Sequence, residues 1–162
     1  MFRRTNILRP LVFTYIRSSM SHKYPAGQPK EQWKNKLTTE EYEVLFEKAT
    51  ERRGTGEYNK YYPQTGYFKC RACDNPLYSA GSKFDSGCGW PAFDKCYEGS
   101  VRTEADYSWG VRIEILCANC GGHLGHVFEG ERMTDTNERH CVNSVSVKYD
   151  PGNISKAEKK VL

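Results

Sequence analysis

Two short cysteine pairs constrain this chain more than any other feature of its 162 residues. Cys70-Arg-Ala-Cys73 and Cys117-Ala-Asn-Cys120 stand 43 residues apart. A Cys-x-x-Cys knuckle points two sulfurs the same way. Two knuckles can therefore surround one Zn2+ with four thiolates, each at about 2.3 Å. The alternatives are two disulfides or a redox-active dithiol, but a matched set of two pairs favours the metal. Four protein ligands would make the site closed and structural, tying together segments distant in sequence. Tyr67 and Phe68 precede the first pair, and Gly121-Gly122 follows the second, where a tight turn needs positive φ.

The rest of the pattern predicts a mainly β fold of antiparallel sheets around one core, preceded by a single helix. Thr38 followed three residues later by Glu41 is a capping box, and Glu40 and Glu41 sit at the positive end of the helix dipole. Tyr42, Leu45, Phe46 and Ala49 give one apolar face, Arg52 and Arg53 suit the far end, and Gly54 supplies the stop. Beyond Gly54, glycine, proline and asparagine punctuate short runs. Val111, Ile113 and Ile115 alternate with Arg112 and Glu114, and Val145, Val147 and Tyr149 alternate with Ser144, Ser146 and Lys148. Such alternation predicts half-buried strands. The expected organisation is a leader and linker over 1–30, one domain over 31–150, and a polar, frayed tail over 151–162. Residues 21–37 read as linker.

Charge is unevenly placed. Residues 1–30 carry six basic side chains and no acidic one, whereas residues 31–162 sum to −2. The domain thus lacks the concentrated positive surface that nucleic-acid binding requires. The longest apolar run near the start is Leu11-Val12-Phe13, far short of the ~18 residues needed to cross a bilayer, so no membrane association is expected. A basic, serine-containing, acid-free beginning has the composition of a mitochondrial transit peptide. An internal start at Met20 would leave a cytoplasmic form.

Three further cysteines remain. Cys96 reads as a small buried hydrophobe. Cys88 lies between glycines in Ser86-Gly-Cys-Gly-Trp-Pro-Ala-Phe93, on open backbone that lets a thiol approach another sulfur. Trp90 offers a flat apolar wall beside it. In Arg139-His-Cys-Val-Asn143, a strand continuing through Val145 and Val147 would put Arg139, Cys141 and Asn143 on one face. A nearby guanidinium favours the thiolate, the nucleophilic form. His123-Leu-Gly-His126 adds two imidazoles able to move a proton near neutral pH. A zinc-ribbon binding module would explain four cysteines and leave these residues idle. A thiol peroxide sensor would use Cys141 and Cys88 alone.

The motifs Cys88-Gly-Trp-Pro-Ala-Phe93, Cys120-Gly-Gly-His-Leu-Gly-His-Val-Phe128 and Arg139-His-Cys-Val-Asn-Ser144, with both knuckles, resemble the B class of methionine sulfoxide reductases, the methionine-R-sulfoxide reductases. The resemblance covers roughly residues 35–150. It implies that Cys141 attacks the sulfoxide and becomes a sulfenic acid. Cys88 would then resolve it as a Cys88–Cys141 disulfide, which thioredoxin reduces. His126, with His123, would protonate the sulfoxide oxygen, while Arg139 favours the Cys141 thiolate and Asn143 holds the polar network. Trp90 and Phe128 would bind the substrate, an R-epimer methionine sulfoxide in an oxidised protein or peptide. Cys70, Cys73, Cys117 and Cys120 would hold one structural Zn2+. The sequence departs from the family after His-Val-Phe. The usual acidic position there falls to Glu129, a candidate for orienting a histidine. Cys96, eight residues from Cys88, is an alternative resolving thiol.

Overall fold

A computed structural model describes residues 23–162. Of the leader and linker expected over residues 1–30, residues 1–22, with the alternative start at Met20, lie outside the described residues. No helix among the described residues is long and apolar enough to cross a membrane.

Among the described residues two short helices come first, α1 (Lys30–Lys36) and α2 (Thr39–Glu47). Eleven strands follow: β1 (Tyr67–Cys70), β2 (Pro76–Ser79), β3 (Lys83–Phe84), β4 (Ala92–Phe93), β5 (Cys96–Tyr97), β6 (Val101–Asp106), β7 (Arg112–Cys117), β8 (His123–Glu129), β9 (Glu138–Val142), β10 (Val147–Asp150) and β11 (Glu158–Lys159). Every strand pairing is antiparallel. One sheet runs β3-β4-β9-β8-β7-β6, a second β10-β1-β2, and a third β11-β5. The mainly β, antiparallel architecture is as the sequence predicts.

Aromatic side chains fill the core. Tyr78 stacks on Phe93 with centroids 4.2 Å apart, and Phe68 meets Phe93 edge-on at 5.2 Å. All three are fully buried, which brings the first two sheets together. Burial of such rings is the main favourable term in a domain this size.

Four local expectations are corrected. The 21–37 linker contains α1, whose lysines and glutamate hide a single anchor: Trp33 is buried and stacks on Phe46 of α2 at 5.2 Å. The capping box forms, with Thr38 Oγ1 accepting from Glu41 N and Glu41 Oε2 accepting from Thr38 N. However, α2 ends at Lys48, whose φ is 60°, and not at Gly54. The intervening segment is irregular, and Glu51 within it bonds elsewhere, as described below. The strand expected from Arg139 through Tyr149 is two strands: a 3-10 turn at Ser144–Ser146 diverts the chain from β9 to β10, in another sheet. Finally, the C-terminal segment is not frayed. β11 pairs with β5, and the amides of Val161 and Leu162 donate to the buried carboxylate of Glu138.

Candidate active site and metal centre

The two knuckles are hairpin tips with the same backbone design. Cys70 O accepts from Asp74 N at 3.0 Å, and Cys117 O accepts from Gly121 N at 2.8 Å. Cys70 N donates to Asn75 O, and Cys117 N to Gly122 O, at 2.8 and 2.9 Å. Asp74 and Gly121 occupy equivalent left-handed positions, with φ of 61° and 78°. The sulfurs of Cys70 and Cys120 are 3.7 Å apart, and those of Cys73 and Cys117 3.6 Å. All four lie within 4.8 Å of one another. A tetrahedron with bonds of about 2.3 Å has edges of about 3.8 Å. The four-cysteine group therefore has the spacing of a metal-ion site. It bridges the β1–β2 and β7–β8 hairpins of different sheets.

A second cluster lies where β7, β8, β9 and β4 run side by side. In register, Glu114 faces His126, His126 faces Cys141, and Cys141 faces Ala92. Cross-strand partners of this kind have Cβ atoms about 5 Å apart on one face. The small Ala92 leaves one flank of the thiol open. β8 and β9 approach closely because Gly125 opposes Val142; a Cβ on Gly125 would fall 1.9 Å from the Cys141 carbonyl oxygen.

In a regular strand His123 and His126 would point to opposite faces, being three residues apart. A register shift opposite Ile115/Leu116 inserts Leu124 as an extra residue and reverses that parity. The two rings then lie on one side, with centroids 5.5 Å apart. Each has its own carboxylate. His123 Nδ1 lies 2.7 Å from Glu114 Oε1, and His126 Nε2 lies 2.7 Å from Asp106 Oδ2. Glu129 is exposed and orients neither ring. The alternating pattern of β7 placed Glu114 outward, yet it is buried, and Lys48 also binds it at 2.6 Å. Burial holds the His126 ring below the usual imidazole range, against the pull of Asp106.

Cys88 Sγ and Cys141 Sγ are 3.7 Å apart. The Cys88 loop is clamped by Arg53, whose Nε donates to Cys88 O at 2.9 Å, and by Gly54 N, which donates to Gly89 O at 2.8 Å. Its hydrogen bond to Cys141 draws Cys88 down to about 5, helped by Ser86 and the Arg139 charge. The same bond, with burial, pushes Cys141 up, while Arg139 draws it down. Arg139 is held over the Phe128 ring at 4.4 Å and is bound in a fork by Glu131 at 2.6 and 2.8 Å.

Asn143 and Glu51 interlock. Glu51 N donates to Asn143 Oδ1 at 3.0 Å, and Asn143 Nδ2 donates to Leu124 O at 3.1 Å. The Glu51 carboxylate accepts from Ser144 N at 2.6 Å and Val145 N at 3.1 Å. Trp90 Nε1 donates to Glu51 O at 3.2 Å. The early end of α2 is what delivers Glu51 here.

These residues enclose a cavity of about 140 Å³ lined by Trp90, His126, Phe128, Cys141, Asn143 and Arg112, among others. Of the residues expected at the site, His123 stands behind His126, Arg139 stands beside Cys141 on β9, and Cys88 reaches Cys141 from outside; none of the three lines the cavity. Cys96 is buried on β5, and burial pushes its thiol up to about 11. The sequence reading missed Asp106, Glu114, Glu51 and Arg112. The Asp106-x-Ser108 spacing, which forms a side-chain turn here, was the one local signal available.

Comparison with known proteins adds the family. A SelR domain profile matches residues 37–151. The chain is 46% identical over 165 residues to the chloroplastic peptide methionine sulfoxide reductase B2 of Arabidopsis thaliana, covering 93% of this chain and 81% of that protein. It is 53% identical over 122 residues to peptide methionine sulfoxide reductase B5 of Oryza sativa subsp. japonica, covering 75% of this chain and 88% of that protein. It is 49% identical over 126 residues to peptide methionine sulfoxide reductase B5 of Arabidopsis thaliana, covering 77% and 89%.

Proposed function

The chain belongs to the SelR family of B-type peptide methionine sulfoxide reductases, oxidoreductases acting on methionine sulfoxide, and we propose that it reduces the R epimer through a Cys141 sulfenic acid and a Cys88–Cys141 disulfide. The observation that carries this reading is the 3.7 Å approach of Cys88 to Cys141, the thiol that lines, with His126, a cavity for one side chain.

In this reading the sulfoxide's methyl group packs on Trp90 and Phe128, and its oxygen points toward His126. A proton held between the two sulfurs would rest on Cys88, leaving the charge on Cys141 beside Arg139. The Cys141 sulfur attacks the sulfoxide sulfur and takes its oxygen, which His126 protonates, and methionine leaves. Protonation makes the sulfoxide sulfur electrophilic and neutralises the oxygen that passes to Cys141, so the acid is required. Cys88 then attacks the Cys141 sulfenic acid, forming the disulfide and releasing water. Two electrons have passed from the thiols to methionine sulfoxide. A dithiol such as thioredoxin returns them by exchange. The epimers differ only in where oxygen and lone pair sit, so opposite placement of Trp90 and His126 would select one.

Cys70, Cys73, Cys117 and Cys120 would hold one structural Zn2+, which would lock the two sheets together. The acid-free first thirty residues support import into an organelle, mitochondrial by composition. A fluorescent fusion lacking residues 1–19 that is imported as well as the full chain would rule this out.

Cys88→Ser tests the chemistry. It is expected to release one methionine per enzyme and then stall with thioredoxin, because chemistry at Cys141 precedes the disulfide. Cys141→Ser should release none. Cys96→Ser should turn over normally. Sustained thioredoxin-driven turnover by Cys88→Ser would contradict the assignment of the resolving thiol.

A further inference from the structure

The 140 Å³ cavity takes one side chain, so the rest of a polypeptide substrate must lie outside it. Three of its lining residues, Thr50, Arg112 and His126, also line a wider neighbouring cleft of about 380 Å³. Trp109 lines that cleft as well.

Trp109 stands at the tip of the β6–β7 hairpin, between the paired residues Asp106 and Arg112. Three large apolar side chains are presented there to solvent: Tyr107 is 74% exposed, Trp109 84% and Val111 77%. Single exposed apolar residues are ordinary, but three in five residues beside a reaction cavity mark a contact surface. The tip is also held in shape. Asp106 Oδ1 accepts from Ser108 N at 2.9 Å and Ser108 Oγ at 2.7 Å, and Arg112 Nη2 donates to Asp106 Oδ2 at 2.7 Å. That same Oδ2 binds His126. One carboxylate thus fixes both the histidine and the aromatic tip. A surface ordered before contact loses less entropy on binding.

We propose that this hairpin tip docks the polypeptide carrying the methionine sulfoxide, with Trp109 covering an apolar side chain near the oxidised residue. The inference rests on the reductase reading above. An extended chain puts residues i and i+2 on one face, about 7 Å apart. A side chain two positions from the sulfoxide therefore falls toward a cleft that shares a wall with the cavity. The electron-donating protein is the less fitting occupant. It must reach Cys88, and no residue of the Cys88 loop lines this cleft.

The test is steady-state kinetics with dithiothreitol as reductant, on wild type, Trp109→Ser and Trp109→Phe. Three substrates are compared: N-acetyl-methionine sulfoxide, a peptide with leucines two positions either side of the sulfoxide, and the same peptide with serines there. Wild type is expected to favour the leucine peptide about tenfold in kcat/KM, chiefly through KM, because binding shared by ground and transition states leaves kcat unchanged. Trp109→Ser should erase that preference, Trp109→Phe should keep most of it, and the N-acetyl substrate should react alike in all three. A wild type without leucine preference, a preference that survives Trp109→Ser, or an equal loss on all three substrates would overturn the proposal. So would a loss seen only when thioredoxin replaces dithiothreitol, which would assign the tip to the reductant. A wild type that turns over none of the three would instead defeat the reductase reading.

Discussion

Asp106 and His126, twenty positions apart in sequence, meet at 2.7 Å, with the carboxylate on β6 reaching past β7 to the imidazole on β8. Burial lowers the His126 pKa and Asp106 raises it. Asp106→Asn removes the raising influence. In the proposed mechanism His126 donates the proton, and it should then titrate at lower pH. In single-turnover reduction, the limb of the pH profile due to His126 is expected below the usual imidazole range in wild type and further acidward in Asp106→Asn. The rate at neutral pH should fall by about tenfold to a hundredfold, the scale of general-acid effects. An unmoved limb would remove Asp106 from this role.

Gly125 lets β8 and β9 approach. An alanine Cβ there would sit 1.9 Å from the Cys141 carbonyl oxygen, on backbone that cannot yield as a side chain tip can. Gly125→Ala should cost about 3 kcal/mol or more and abolish turnover. Gly130→Ala, at φ 89° with open space around the new Cβ, should cost only about 1 kcal/mol. Urea melts of the two variants would compare them directly.

Glu138 ties the C-terminal segment to β9. Burial alone would raise its pKa, but His140 and the amides of Val161 and Leu162 hold the carboxyl below the usual 4.5. A lowered carboxylate pKa stabilises above the unfolded value, and that stability is lost as pH falls through the folded one. Amide exchange at Val161 and Leu162 should therefore stay slow from neutrality down to about pH 4.5 and accelerate below it. Glu138→Gln should already exchange fast at pH 7.

The four-cysteine group joins hairpins of two sheets, so a metal held there contributes to folding itself. A strong chelator should lower the thermal midpoint sharply and abolish activity, and zinc should restore both. Native circular dichroism and full activity in a demonstrably metal-free protein would contradict a structural metal.

What was legible in the sequence was short-range. The knuckles, the Thr38 capping box and the Arg139/Cys141 face all depend on spacings of two or three residues. What was not legible depends on partners far along the chain. Glu51 meets Asn143 across 92 positions, and that contact overrides the helical pattern that pointed to Gly54. The bulge that turns His123 and His126 to one side needs the register of β7 against β8, which no window of one strand contains. Glu114 read as an outward residue because alternation cannot foresee a buried histidine across the ladder. Helix α1 escaped notice because Trp33 is its only buried residue.

The most direct measurement is methionine release from a peptide carrying pure R- or pure S-methionine sulfoxide, with thioredoxin supplying electrons. The account predicts sustained turnover on the R peptide and none on the S peptide, with a Cys88–Cys141 disulfide trapped when the reductant is withheld. Equal turnover of both epimers, or none on either by folded, zinc-loaded protein, would contradict it.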